Sequence, residues 1–159
     1  MEHGSLNAMA RSATLHCLTG CAIGEVSGLV IGTILGLSTV VTIALAVTLA
    51  FIFGFALSTV PLIKAGLTFF AALPIVFAAD TLSIATMEVV DNAVMAVIPG
   101  AMESGLVNPV FWISMPIALT AAFFAAYPVN KILLKKNKGH ALVMAYHEGH
   151  TGHEAHGHH

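Results

Sequence analysis

The stretch GCAIGEVSGLVIGTILG, residues 20–36, decides the fold of this chain. It contains one charged residue, Glu25, and glycine returns at every fourth position, at Gly20, Gly24, Gly28, Gly32 and Gly36. Residues four apart lie on one face of an α-helix. The spacing therefore predicts a membrane helix whose glycine face lies close to a second helix, as in small-xxx-small packing.

A matching face occurs in the next apolar stretch, where small residues again stand four apart. They are Thr42, Ala46, Ala50, Gly54 and Ser58. We predict that these two faces pack together and that the other faces of the first helix carry its polar side chains.

Composition indicates an integral membrane protein. Apolar residues make up 57% of the 159 residues, charged residues only 9%, and the mean hydropathy is +0.89. Soluble domains carry about a quarter charged residues, so the class of soluble proteins is excluded. The net charge of −2 offers no basic field, and we expect a lipid bilayer and no nucleic acid as partner. The N-terminus lacks the positive region of a cleavable signal, so the first helix is expected to remain.

Four apolar stretches can each cross a hydrocarbon core, which needs about 20 helical residues. They cover residues 12–35, 39–60, a segment between 67 and 98, and 107–134. The third is longer than a span requires, and its start at Leu67 or at Pro74 stays open. The links are short, which predicts an all-α, up-down-up-down four-helix bundle over residues 12–138 after an N-terminal segment, 1–11.

Basic residues predict the orientation of this bundle. In a four-pass chain all six fall on one side: Arg11, Lys64, Lys131, Lys135, Lys136 and Lys138. The positive-inside rule then places both termini in the cytoplasm.

Two of the predicted helices carry polar groups that need an explanation. Helix 1 contains His16, Cys17, Cys21 and Glu25, and helix 3 contains Asp80, Met87, Glu88 and Asp91. An intramembrane carboxylate costs about 3 kcal/mol on insertion scales, and no Lys or Arg lies within these spans to pair with it. Counting depth along the helices puts Asp80 or Glu88 opposite Glu25, depending on where helix 3 begins.

Three interpretations of these groups remain. The first is a path for a transition-metal cation, since thiol and thioether groups favour soft ions and carboxylates harder ones. In it the four acids form an intramembrane site, and His16, Cys17 and Cys21 form a soft site nearer the cytoplasm. Copper is the first expectation, and zinc or another divalent ion the second. In the second interpretation the protein is a structural or accessory subunit whose protonated acids hold helices together. In the third, which the geometry of neighbouring turns disfavours, Cys17 and Cys21 are a thiol–disulfide redox pair.

The C-terminal segment, residues 139–159, is rich in His and Gly and has no apolar face. We expect it to be flexible and to chelate metal through His147, His150, His153 and His156. A native chelating tail and an expression tag both remain open, although a tag is normally an uninterrupted His block.

Several segments resemble a family of small bacterial and archaeal membrane proteins known as a domain of unknown function. They are His16-Cys17-Leu18-Thr19-Gly20-Cys21, with Gly24-Glu25, then Asp80-Thr81-Leu82-Ser83-Ile84, with Met87-Glu88 and Asp91-Asn92, and then Ile98-Pro99-Gly100-Ala101-Met102. The resemblance implies a multi-pass protein of the bacterial inner membrane. Members sometimes stand beside copper-handling modules, which favours the metal interpretation. We expect no enzymatic activity, and a homo-oligomer, because four helices seldom enclose a path alone.

Overall fold

Four α-helices make up the computed structural model, which describes residues 2–64, 66, 68–103 and 105–151. They are α1 (Glu2–Ile34), α2 (Thr39–Lys64), α3 (Phe69–Val97) and α4 (Pro109–Thr151). No strand occurs among the described residues. The all-α four-helix prediction is confirmed.

Three of these helices are long and apolar enough to cross a membrane, over Leu6–Ile34, Thr39–Val60 and Pro109–Lys136. They indicate a membrane protein in contact with lipid. Large apolar side chains on the outer faces, such as Val40, Phe70 and Phe124, are exposed, as expected for groups that face hydrocarbon. A crossing by α3 stays a prediction.

The α1–α2 interface follows the small-residue pattern of the sequence. A Cβ atom added at Gly20 would lie 2.6 Å from the Cα atom of Gly54. Further along, added Cβ atoms would collide with Ala50, Ala46 and Thr42, at Gly24, Gly28 and Gly32 respectively. As the residue numbers increase along α1, those of the facing residues in α2 decrease, so the two helices are antiparallel. The predicted close packing is confirmed for four of the five glycines.

Gly36, the fifth member of the repeat, does not pack against α2. It has φ +62°, and an added Cβ atom would have no heavy atom within 4 Å. The Leu37 N–H donates to the Gly32 carbonyl at 2.9 Å, which closes the last turn of α1. A left-handed glycine with such a bond is a common helix end. The repeat therefore changes role at its last member, from packing to termination.

Helix boundaries differ from the predicted ones at both ends of the chain. α1 begins at Glu2, before the predicted start at residue 12, and it buries Leu6 and Ala10 on the face that continues to Cys17. α4 continues to Thr151, past the predicted end at residue 134, so its backbone includes part of the His-rich segment. The buried face of α1 therefore begins before its most apolar stretch, and hydropathy alone placed the start of this helix too late.

The start of α3 differs from both alternatives that the sequence left open, Leu67 and Pro74. It begins at Phe69, after Thr68 in an extended conformation, and Pro74 lies inside the helix. Neither Leu67 nor Pro74 is its first residue. Pro74 lies in the second turn, where its missing N–H group costs the helix one backbone hydrogen bond, to the Phe70 carbonyl, and the helix continues through it.

α4 makes polar contacts at two places, one with α1 and one within the segment where α4 begins. At the middle of α4 the buried Asn130 side chain donates from Nδ2 to Thr14 Oγ1 at 2.9 Å, and Thr14 in turn donates to the Ala10 carbonyl. At its start the Asn108 side chain accepts the N–H of Val110, and the Trp112 ring nitrogen donates to the Leu106 carbonyl at 2.9 Å. α4 is antiparallel to α1, because Ala122 and Ala126 pack in one cluster with Cys17 and Cys21, whereas the earlier α4 residues Phe111 and Met115 pack with the later α1 residues Val26 and Leu29.

Candidate functional site

Acidic side chains of α3 face thiol and carboxyl groups of α1 along one line, which we call the acid–thiol seam. It consists of three pairs in ascending order: Cys17 with Asp80, Cys21 with Glu88, and Glu25 with Asp91. From one pair to the next, the residue numbers increase in both helices, so α1 and α3 run in the same direction. The seam is a column of ionisable groups inside the bundle.

The first pair of the seam also involves α2. The Cys17 thiol lies 3.4 Å from the Ser58 hydroxyl, and the Asp80 carboxyl contacts both groups. Cys17 is only 1% exposed. This contact ties three helices together, because each supplies one polar group.

The middle pair contains the least satisfied acid of the seam. Glu88 is 5% exposed, and neither of its carboxyl oxygens has a hydrogen-bond partner of good geometry. Its polar neighbour is the buried Cys21 thiol. A polar group left unpartnered in the interior costs about 1–3 kcal/mol, so this arrangement needs an explanation beyond packing.

The third pair borders a cavity of about 260 Å³. Glu25 and Asp91 are both buried, their carboxyl groups are in contact, and one Asp91 oxygen, Oδ1, has no hydrogen-bond partner. Two carboxylates this close repel each other unless a proton or a cation lies between them. The sequence has no Lys or Arg at positions 12–63 or 65–130 to supply the positive charge.

Thioether groups from three parts of the chain line the same cavity. Met95 comes from α3, Met102 from the segment that connects α3 to α4, and Met115 from α4. Exposed Glu103 also lines this cavity. Carboxyl and thioether donors therefore converge on one space, which is partly open to the outside of the bundle.

The depth count along the helices was wrong about the partner of Glu25. It gave Asp80 or Glu88, whereas the carboxyl in direct contact is that of Asp91. The register of α3 against α1 is fixed by side-chain packing around Ile84 and Met87 rather than by where the helices begin. Counting from helix ends could not supply that information.

The remaining predicted residues occupy different environments. His16 is exposed, its ring Nδ1–H donates to the Ser12 carbonyl at 2.7 Å, and it does not join the buried cysteines. Met87 is 1% exposed and packs in one buried cluster with Cys17 and Cys21. Both cysteines are free thiols.

The predicted tail ligands cannot be placed at the level of side chains. The backbone of His147 and His150 belongs to α4, but their side chains lie outside the described part of the structure. His153 and His156 lie outside the described residues altogether. Metal binding by the tail stays a prediction.

No three side chains of His, Cys, Asp or Glu come together closely enough to hold a metal ion in the part of the chain that the structure describes. Thioethers do not count among those types, yet they are the donors that surround the Glu25–Asp91 pair. Sequence reasoning did not assign Met102 or Met115 to the site. The first lies in a loop and the second on a helix with no other polar group of the seam, so no periodic signal marked them.

The chain belongs to the family described as a domain of unknown function (DUF4396), whose model matches residues 6–139. This confirms the resemblance noted from the sequence, and the match includes α2, α3, most of α1 and α4, and the whole seam. No curated protein and no solved structure matches the chain.

Proposed function

We propose that this membrane protein binds a soft transition-metal cation in the cavity beside Glu25 and Asp91 and moves it along the seam. Copper(I) is the first candidate, and zinc or another divalent ion the second. The observation that supports this is the convergence of two buried carboxyls and three methionines on one partly open cavity.

The donor chemistry fits a soft cation. Thioethers are soft ligands that select copper(I), and neighbouring carboxylates supply the negative charge that a cation needs in a medium of low dielectric. The contact between Glu25 and Asp91 lacks a positive partner, and a bound cation would supply one. The thioethers would thus serve as ligands and the carboxyls as the neutralising charge, and packing alone requires neither.

The orientation is part of the proposal. Arg11, Lys64, Lys135 and Lys136 are exposed, and the Asn130–Thr14 bond brings the middle of α4, one turn before Lys135, close to the Arg11 end of α1. By the positive-inside rule this end is cytoplasmic, so the cavity opens on the opposite side. Cysteine introduced by Glu103→Cys should react with a membrane-impermeant thiol reagent only from the non-cytoplasmic side. Labelling from the cytoplasmic side would reverse the orientation.

Binding is tested by metal-dependent thermal unfolding of the full chain in detergent, with copper(I), zinc(II) and cobalt(II) added separately. A ligand that binds only the folded state stabilises it by about 2.7 kcal/mol at a free concentration of 100 times Kd. Glu25→Gln and Asp91→Asn should lose the part of the stabilisation that depends on the cavity. Both variants keep the His-rich tail, so tail binding cancels in the comparison with wild type.

Glu103→Gln makes the same chemical change in an exposed carboxylate that lines the cavity but lies outside the Glu25–Asp91 pair. It should keep more of the metal-dependent stabilisation than Glu25→Gln does. If Glu25→Gln retains as much stabilisation as wild type for every metal, the cavity is not the binding site. Movement of the cation is tested separately, by uptake into proteoliposomes that contain wild type or Glu25→Gln.

A structural role is the second candidate, and the contact between the Glu25 and Asp91 carboxyls favours it. Two carboxyls that share one proton join α1 to α3 without any ligand. In that case the amide variants keep the shape and the hydrogen bonding, and metal addition changes nothing in either protein. The same thermal series therefore separates the two functions.

A further inference from the structure

A second group of soft donors lies deeper in the bundle than the cavity. The thiols of Cys17 and Cys21 and the thioether of Met87 belong to one buried cluster, and each of these residues is at most 2% exposed. Ile84 and three alanines surround them. Cys17 and Cys21 are one turn apart on the same face of α1, so their Cα atoms are about 6 Å apart.

The polar surroundings of this cluster are not those of an ordinary apolar core. Each thiol has an acidic neighbour, Asp80 for Cys17 and Glu88 for Cys21. Glu88 is buried with both carboxyl oxygens lacking partners. Apolar side chains at these two positions would pack without any desolvation cost, so packing alone does not account for acids here.

We infer that Cys17, Cys21 and Met87 form a second site for a soft monovalent cation such as copper(I), with Asp80 and Glu88 as outer carboxyls. Two sulfur atoms from cysteine and one from methionine form a donor set that selects copper(I) over hard ions. Each thiol loses its proton to solvent as its sulfur–copper bond forms, so binding at both cysteines releases two protons per copper(I). The binding step needs neither an oxidant nor a reductant, since the metal keeps its charge.

Access to this site follows from its place in the seam. Cys21 stands one turn from Glu25 on the same face of α1, which is about 6 Å along the helix axis. Glu88 and Asp91 are neighbours along α3 in the same way. A cation held at the cavity therefore has a second set of donors within one helical turn. This relay deepens the proposed function, while binding at the sulfur site can be measured independently of transport.

Copper(I) titrated anaerobically into the full-length protein in detergent tests the inference. Thiolate bound to copper(I) gives an ultraviolet charge-transfer band that imidazole and carboxylate ligands do not give, so the tail does not interfere. We expect the amplitude of the band to correspond to about one thiolate-bound copper(I) per chain, even as the cavity and the tail take up more of the metal. Cys17→Ser and Cys21→Ser, which keep a small polar group at each position, should each remove most of it.

Matched methionine variants show whether the thioether takes part. Met87→Leu conserves volume, and so does Met95→Leu in the cavity. In competition with a copper(I) chelator, Met87→Leu should weaken the affinity measured at the thiolate band and Met95→Leu should not. Glu88→Gln should weaken it by about tenfold or more, the usual effect of losing an outer-shell partner.

Two results would overturn the inference. One is a folded wild-type protein that shows no thiolate band at saturating copper(I), and the other is a band that survives either serine replacement. If the serine variants do not fold, the comparison of Met87→Leu with Met95→Leu decides, and equal affinities in the two would contradict the site. Loss of cavity-dependent thermal stabilisation in Glu25→Gln is a separate readout. Failure of the cavity site and failure of the sulfur site can therefore be told apart.

Discussion

Two faces of α1 meet their neighbours in opposite ways. Toward α2 it presents Gly20, Gly24, Gly28 and Gly32, and the two backbones come so close that no Cβ atom fits between them. Toward α3 it presents Cys17, Cys21 and Glu25 to three acids, and several polar atoms there remain without partners. One interface is complete in its packing, and the other is incomplete in its hydrogen bonding.

The difference shows how one helix can serve both stability and function. In a bilayer, helices associate through close packing and hydrogen bonds, because lipid tails are as apolar as the side chains. The glycine face provides that packing and makes a rigid pair of α1 and α2. The seam can then retain unpartnered carboxyls, because the fold does not depend on them. Variants on the two faces should therefore respond differently.

The largest effect is expected on the glycine face. Gly28→Leu places a four-carbon side chain against the backbone of Ala46, and overpacking costs about 1–3 kcal/mol even in cores that can adjust. Here the obstacle is backbone, so we expect loss of the monodisperse folded species on gel filtration. Gly4→Leu is the matched control, since a Cβ atom at Gly4 meets nothing within 4 Å. A well-behaved Gly28→Leu protein would show that the two backbones can separate.

A smaller effect, of opposite sign, is expected in the seam. Glu88→Leu replaces an unpartnered buried acid with an apolar side chain of similar size. The free energy of unfolding of the metal-free protein should rise by about 1–3 kcal/mol, the cost of leaving such a group unsatisfied. Reversible unfolding in mixed detergent with increasing denaturant measures it. A loss of stability in Glu88→Leu would mean that this carboxyl supports the fold after all.

The smallest effect concerns the contact between Cys17 and Ser58. Interhelical hydrogen bonds inside a membrane contribute about 0.6 kcal/mol on average. Cys17→Ala should lose about that much relative to Cys17→Ser, which can still reach the Ser58 hydroxyl. Measuring both Cys17 variants again in a Ser58→Ala background isolates the contribution of the hydrogen bond between residues 17 and 58. If the two Cys17 variants differ as much in that background, the difference arises from packing and not from this bond.

Periodic features of this chain could be predicted from the sequence, and register between helices could not. Glycines at intervals of four identified the α1 face and its match on α2, because both helices repeat the pattern over several turns. The pairing of Glu25 with Asp91 depends on how α3 is placed against α1 around Ile84 and Met87. That placement is a tertiary property, and depth counted from helix ends does not contain it.

The candidate site was predicted only in part for a related reason. Glu25, Asp91, Cys17 and Cys21 stand out because polar groups are rare in apolar helices. Met102 and Met115 do not stand out, because methionine is common in such segments and neither belongs to a periodic run of polar residues. His16 stands beside Cys17 in the sequence but is exposed, since adjacent residues of a helix point about 100° apart.

Trp112 is the single tryptophan of the chain. Its ring is half-exposed, its nitrogen is bonded to the Leu106 carbonyl, and it stacks edge-on against Phe111, which lines the cavity. Intrinsic tryptophan emission from the protein therefore arises at the cavity end alone. The chain carries its own optical reporter there, and its emission can follow occupancy of the cavity in a bilayer without any added label.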